Sequence, residues 1–178
     1  EHDWSVPLVD SKGHHSKAQD DLKFFRENYA KQEAMVSMRD GVRLFTVVYV
    51  PFSGSEAAAG FSAHPILLQR TPYSCAPYGA DEWAAPRGPM KTYAREGFIF
   101  AQQDVRGRNG SEGDFMHMRP HRRGKYVGRA TAEDALAVDE STDTFDTIAW
   151  LVSTVPRNNG RVGLLGISYP GFYAAVCT

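Results

Sequence analysis

Alternating apolar and polar positions give the chain its first clear organisation near residue 34. Ala34 to Met38 and Val42 to Val50 read as two strands, and the Asp40-Gly41 between them suits a tight turn with positive φ. Pro51 closes the second strand, and the Gly-, Ala- and Ser-rich run 53–62 predicts a surface loop. Pro65 to Arg70 predicts a short buried strand, stopped by Thr71-Pro72-Tyr73. Lys91 to Glu96 reads as the end of a helix closed by Gly97, and Phe98 to Val105 as a strand entering the glycine-rich run Arg106 to Gly113. From Thr142 a helix is predicted, with Thr142 as its cap, Asp143 in its first turn and Phe145, Ile148, Leu151 and Val152 on one stripe. Pro156 lies beyond its end. Upstream, residues 20–30 place Leu22, Phe25 and Tyr29 on one face of a short helix. Strands alternating with helices predict an α/β fold with a mostly parallel sheet.

The segment Arg161 to Gly171 concentrates the candidate chemistry. An apolar run between Gly163 and Gly166 reads as a buried strand, Ser168 as a sharp turn, and the residues after it as a helix start. A serine hydroxyl is a weak nucleophile until the backbone presents it to a base. Small residues around it permit the tight geometry of a nucleophile elbow, although Pro170 stands where the common Gly-x-Ser-x-Gly pattern has its second glycine. An ordinary strand-to-helix turn would explain the same pattern. Hydrolases of this kind run in the order Ser, Asp or Glu, His. Tyr169 to Thr178 contain neither an acid nor a histidine, so the other triad members are expected outside these residues.

Composition narrows the classes. With 20 Lys and Arg against 21 Asp and Glu, the charge is balanced, and the basic cluster His121 to Lys125 is too short to suggest nucleic acid as a partner. No apolar run approaches the roughly 18 residues that span a bilayer, so no membrane partner is expected. Cys75 and Cys177 are too few for a disulfide framework, and a buried free thiol is expected at Cys177. The chain opens on Glu1, as a processed terminus would; a periplasmic or secreted location is expected, with a cytoplasmic one as the alternative. His14 and His15 lack further ligands at suitable spacing, the glycine-rich run lacks the Gly-Lys-Ser/Thr of a phosphate loop, and helix capping with a solvated face accounts for the acids from Glu133 to Asp146. No cofactor and no metal are expected.

Four segments, in order, resemble the amino-terminal part of the catalytic domain of the X-Pro dipeptidyl-peptidase (peptidase S15) family. They are Met35 to Leu44, Gln69-Arg-Thr-Pro-Tyr73, Gln103 to Phe115, and Asp143 to Leu151 followed by Gly160 to Gly163 and the elbow. They are most similar to its α-amino acid ester hydrolases and β-lactam acylases of the glutaryl-7-ACA type, with cocaine esterase more distant. The family elbow is Gly-x-Ser-Tyr-x-Gly, which accommodates Pro170. The resemblance implies Ser168 as nucleophile, the Tyr169 backbone N–H as one oxyanion donor and the Tyr73 hydroxyl as the other. It implies the first part of an α/β-hydrolase domain over residues 21–178, with a helical cap and a jelly-roll domain outside this chain. Asp104, Arg106, Ser111 and Glu112 are then expected to form a hydrogen-bonded scaffold beneath the site.

The function expected is a serine hydrolase that forms an acyl-enzyme from a small acyl ester or β-lactam. X-Pro dipeptidyl-peptidase activity on a peptide is the enzymatic alternative, and a non-catalytic interaction domain on the same scaffold the alternative of another class. Residues 1–20 read as an arm, with Trp4, Val6, Leu8 and Val9 as apolar anchors. The relatives imply that this arm reaches a neighbouring subunit of a homo-oligomer; the alternative is an arm folded back on its own domain.

Overall fold

The structure is a computed structural model that describes residues 17–86, 88–119 and 138–176. The arm anchors, His14, His15, the cluster 121–125 and Cys177 lie outside the described residues. Helix α1 (Lys17–Asn28) starts within the last residues assigned to the arm. Strands β1 (Tyr29–Ser37) and β2 (Arg43–Pro51) form the expected hairpin, from Tyr29 opposite Pro51 to Ser37 opposite Arg43. Its turn holds Gly41 at φ 84°, a conformation that costs glycine little. Then follow β3 (His64–Thr71), α2 (Met90–Arg95), β4 (Ile99–Asp104), α3 (Glu140–Thr154), β5 (Asn158–Leu164) and α4 (Tyr169–Ala175).

The sheet order is β1-β2-β4-β3-β5. Pairing is parallel across β4-β3-β5 but antiparallel for β1-β2 and β2-β4, so the described sheet is evenly mixed rather than mostly parallel. The tight turn at Asp40-Gly41 makes β1-β2 antiparallel, whereas the parallel neighbours β3 and β4 are joined by a crossover that contains α2.

Successive residues of β2 serve opposite faces of the sheet. Val47 and Tyr49 pack with Phe25, Tyr29, Ala57, Met90 and Phe100. Val48 and Val50 pack with Ile66, Leu68, Ile99, Ala101 and, from α3, Leu151. Tyr29 is not on the helix; it opens β1, and its phenol donates to the carbonyls of Ala94 and Phe98 at 2.8 and 3.0 Å. The run 53–62 is more than a surface loop: its 3₁₀ turn Glu56–Ala58 buries Ala57 and Ala58, and Gly97 approaches so closely that a Cβ there would meet the Ala57 carbonyl.

Helix α3 departs most from expectation. Its cap is Asp139, whose carboxylate accepts from the Thr142 N–H at 2.8 Å, while the Thr142 hydroxyl accepts from the Asp139 N–H at 2.9 Å. The inward face carries Glu140, Asp143, Thr144, Thr147 and Leu151, and Phe145 points outward at 67% exposure. The reason lies beneath the helix, where β3, β4 and the following loop present Arg70, Gln103 and Arg106. Glu140 and Asp143 are therefore buried counter-ions and not part of a solvated face. Among the described residues no helix is long and apolar enough to cross a membrane.

Candidate active site

Strand β5 delivers the candidate nucleophile. Leu165 continues its alignment with β3, donating to the Leu68 carbonyl at 2.9 Å, and the chain then turns sharply. Ser168 has φ 61° and ψ −126°, a conformation that a non-glycine residue holds only under constraint. Its carbonyl accepts from the N–H groups of Gly171 and Phe172 at 2.9 and 3.2 Å, which starts α4. Its side chain takes no part in the cap and its residue is exposed. Gly166 is required by contact: a Cβ there would collide with the Pro170 carbonyl and the Gly171 nitrogen. Pro170 is buried in the first turn, where its missing N–H costs no helical bond.

Tyr169 is the first residue of α4, so its N–H has no acceptor within the helix. Its ring stands edge-on to Tyr73, centroids 6.1 Å apart, and stacks on Tyr173 at 5.2 Å. Its phenol oxygen accepts from the Met118 N–H and pairs with His117 Nδ1, both at 2.9 Å. Tyr73 follows the carboxyl end of β3 and is 65% exposed. The three residues singled out in the sequence thus meet at one end of the parallel strands, where open α/β sheets place their ligands. A cavity of about 340 Å³ adjoins them, bounded by Tyr73, Ile167 and Pro170 on the elbow side and by Ala84, Pro86 and Met90 opposite.

Beneath the elbow lies the polar layer that α3 covers. Arg70 donates to Gln103 Oε1 at 2.8 Å, to Glu140 Oε2 at 3.1 Å and to Thr144 Oγ1 at 2.9 Å. Arg106 donates to both oxygens of Asp143, at 3.0 and 2.7 Å, and to Asp40 at 2.8 Å. Burial pushes the Glu140 carboxyl up, against the pull of Arg70. Burial also pushes Asp40 up, but its bonds to Arg106 win and hold it below the usual carboxylate range. The Arg70 guanidinium sits 5.7 Å from the Tyr173 ring, so the charged layer supports the ring stack that carries Tyr169. The glycine-rich loop is a scaffold as expected: the Ser111 hydroxyl donates to the Asp104 carbonyl at 2.6 Å and accepts from the Phe45 N–H, while Glu112 pairs with Arg43.

Among the described residues no imidazole or carboxylate is hydrogen-bonded to the Ser168 hydroxyl. His64 begins β3, at the opposite end of the sheet, where Arg157 donates to its Nε2 at 2.9 Å. His117, Tyr173 and Arg70 are site residues that the sequence reading missed. Tyr169 and Tyr173 stand four apart on one helix, and Arg70 interrupts an apolar strand; both were visible signals. His117 had none.

An open α/β sheet with a serine elbow at the carboxyl end of a parallel strand defines the class as an α/β-hydrolase fold. Residues 40–178 match the model of the X-Pro dipeptidyl-peptidase (S15) family, and the chain belongs to that family. It is 31% identical to a cocaine esterase of Rhodococcus sp. (strain MB1 Bresler) over 81% of its own length and 20% of the esterase. Among solved structures it resembles an aminopeptidase from the marine sediment archaeon Thaumarchaeota archaeon, at 33% identity, TM-score 0.66, 99% of this chain and 26% of that one. An α-amino acid ester hydrolase gives 33% identity and TM-score 0.65, over 97% of this chain and 25% of that one. The chain therefore spans about a fifth to a quarter of the length of these relatives.

Proposed function

We propose that this chain is the nucleophile-bearing part of a serine hydrolase of the α-amino acid ester hydrolase or β-lactam acylase type. Ser168 Oγ attacks the acyl carbon and the alcohol or amine leaves with a proton. Water then releases the acid and restores the serine. The developing oxyanion is held by the Tyr169 N–H and the Tyr73 hydroxyl, donors aimed where charge appears in the transition state. The observation that carries this reading is the strained, exposed Ser168 between β5 and α4, with both tyrosines beside it. The neighbouring cavity would take the acyl group. The catalytic base and its acid are assigned to residues outside those described.

A peptide substrate is the second reading, favoured by the similarity to an aminopeptidase over 99% of the chain. The full-length protein should react with a fluorophosphonate probe at Ser168, and Ser168→Ala should abolish labelling and lower turnover by on the order of a million-fold. An unlabelled wild-type protein would make the chain a non-catalytic scaffold. Parallel assays with an amino acid methyl ester and an X-Pro chromogenic peptide separate the two enzymatic readings. Turnover of the ester with an inert peptide supports the first.

A further inference from the structure

One buried carboxylate has no part in the chemistry above. Asp104 ends β4 and is fully buried. Its oxygens accept from three neutral donors, the Cys75 N–H at 2.8 Å, the Tyr78 hydroxyl at 2.7 Å and the Gly110 N–H at 3.0 Å. Burying a carboxylate is costly unless its hydrogen bonds are met, so the donors around it are held firmly in return. Two of the three belong to the segment that carries Tyr73. The same segment is fastened on its other side. The Thr71 carbonyl accepts from the Val105 N–H at 3.0 Å, and the Pro72 carbonyl from Arg108 Nε at 3.1 Å and Asn109 Nδ2 at 3.3 Å. Asn109 adopts φ 49° to make this reach, a conformation that asparagine tolerates better than most residues.

The Tyr73 ring is 65% exposed and meets Tyr169 only edge-on, so packing does not fix its phenol. Its position is set by the backbone on either side, at Pro72 and at Cys75. We propose that Asp104 is a positioning residue for the hydrolytic reaction, holding the Tyr73 hydroxyl at the oxyanion through the backbone of Cys75 and the phenol of Tyr78. Burial and Asp104 push the Tyr78 phenol up to about 12, which keeps it a donor throughout the neutral range. The end of β4 and the glycine-rich loop after it thereby acquire a task beyond support, since Asp104, Arg108 and Asn109 are what they present to the Tyr73 segment. This inference rests on the reading of Tyr73 as an oxyanion donor.

The test is a double-mutant cycle in the full-length protein, read as kcat and KM on an activated ester. Asp104→Asn keeps the shape but replaces one acceptor oxygen with a donor. It should lower kcat by roughly ten- to a hundredfold with KM nearly unchanged, since small misplacements carry costs of that size. Tyr73→Phe alone should lower kcat by roughly a hundred- to a thousandfold. In the Tyr73→Phe background Asp104→Asn should have almost no further effect on kcat, because the group it positions is gone. Should Asp104→Asn fail to fold, Tyr78→Phe removes a single donor and should show a smaller kcat loss, again absent in the Tyr73→Phe background. Multiplicative losses would give Asp104 a structural role and overturn the inference while leaving Tyr73 in place. Wild-type kcat in Tyr73→Phe would remove Tyr73 from the oxyanion site and the inference with it.

Discussion

Asp143→Ala offers the sharpest test of the polar layer beneath the elbow. The Asp143 side chain is 1% exposed and that of Arg106 is 6%, and they share two hydrogen bonds of 3.0 and 2.7 Å. Arg70 and Arg119 also approach Asp143, at 3.8 and 3.6 Å. The cluster sets Arg70, Arg106 and Arg119 against Asp40, Glu140 and Asp143, three cations against three anions. Removing Asp143 leaves three against two, with Arg106 dependent on Asp40, which is 27% exposed. Breaking a buried pair from one side costs about 3–5 kcal/mol, a large share of the roughly 5–15 kcal/mol that a folded protein has in hand. Urea unfolding of the full-length protein, followed by tryptophan fluorescence from α3, should show the unfolding free energy falling by that amount, read as a lower midpoint at unchanged slope. Asp143→Asn should lose less, because one acceptor oxygen remains. A loss below about 1 kcal/mol for Asp143→Ala would mean that water reaches the cluster, and the account of α3 as a lid over buried charge would fail.

Gly166→Ala should abolish fluorophosphonate labelling of Ser168 while far-UV circular dichroism is retained, because its Cβ would displace the start of α4. Gly171→Ala, where the added carbon meets the Gly166 carbonyl at 3.3 Å, should be milder; equal labelling in both variants would contradict the contact reading. Burial, with help from Arg157, lowers the folded-state affinity of His64 for a proton below its ordinary value near 6.5. Its stabilising contribution is therefore complete above about pH 6.5 and is lost as pH falls through that value toward the lower folded pKa. The unfolding midpoint of His64→Gln should depend less on pH in that window, and a slope identical to wild type would exclude His64. Burial, then Asp104, raises the Cys75 thiol, so iodoacetamide should modify Cys75 in urea but not in the folded protein. Peptide mapping reads the result.

The strands and the elbow were legible because each is written locally. Asp40-Gly41 marks the hairpin turn, Gly97 the end of α2, and Gly166 with Ser168 and Gly171 the elbow. The inward face of α3 was not legible, since apolar periodicity assumes an apolar partner. Here the partner is Arg70 and Arg106, which reach the helix from β3 and from the loop after β4. A rule based on hydrophobic stripes therefore selects Phe145, which is exposed, and passes over Thr144 and Thr147, which are buried. Tyr29 failed for a related reason: its helical spacing from Phe25 was genuine, but α1 ends at Asn28 and the next residue begins β1. The candidate site divided in the same way. Ser168, Tyr169 and Tyr73 could be named from motifs and Tyr173 left a signal in its spacing from Tyr169, whereas His117 emerged only when the chain was folded around Tyr169.

The sheet order also fixes a sequence of events in time. Strands β1 and β2 close on a short turn, whereas β5 must find β3 across the whole of β4 and α3, bringing Ile66 opposite Val162. Long-range parallel pairing pays its loop-closure entropy before it gains any contact, so it comes late in folding. As the polypeptide leaves the ribosome, β1, β2, β3 and β4 are all made before β5 appears. Pulsed hydrogen exchange during refolding should accordingly protect the amides of Val47 and Val48 before those of Val162 and Leu164. Ser168 follows β5 directly, so its unfavourable backbone angles await the seating of that strand beside β3. In this order of events the elbow is a late product of folding, formed after the hairpin and dependent on the pairing of β5 with β3.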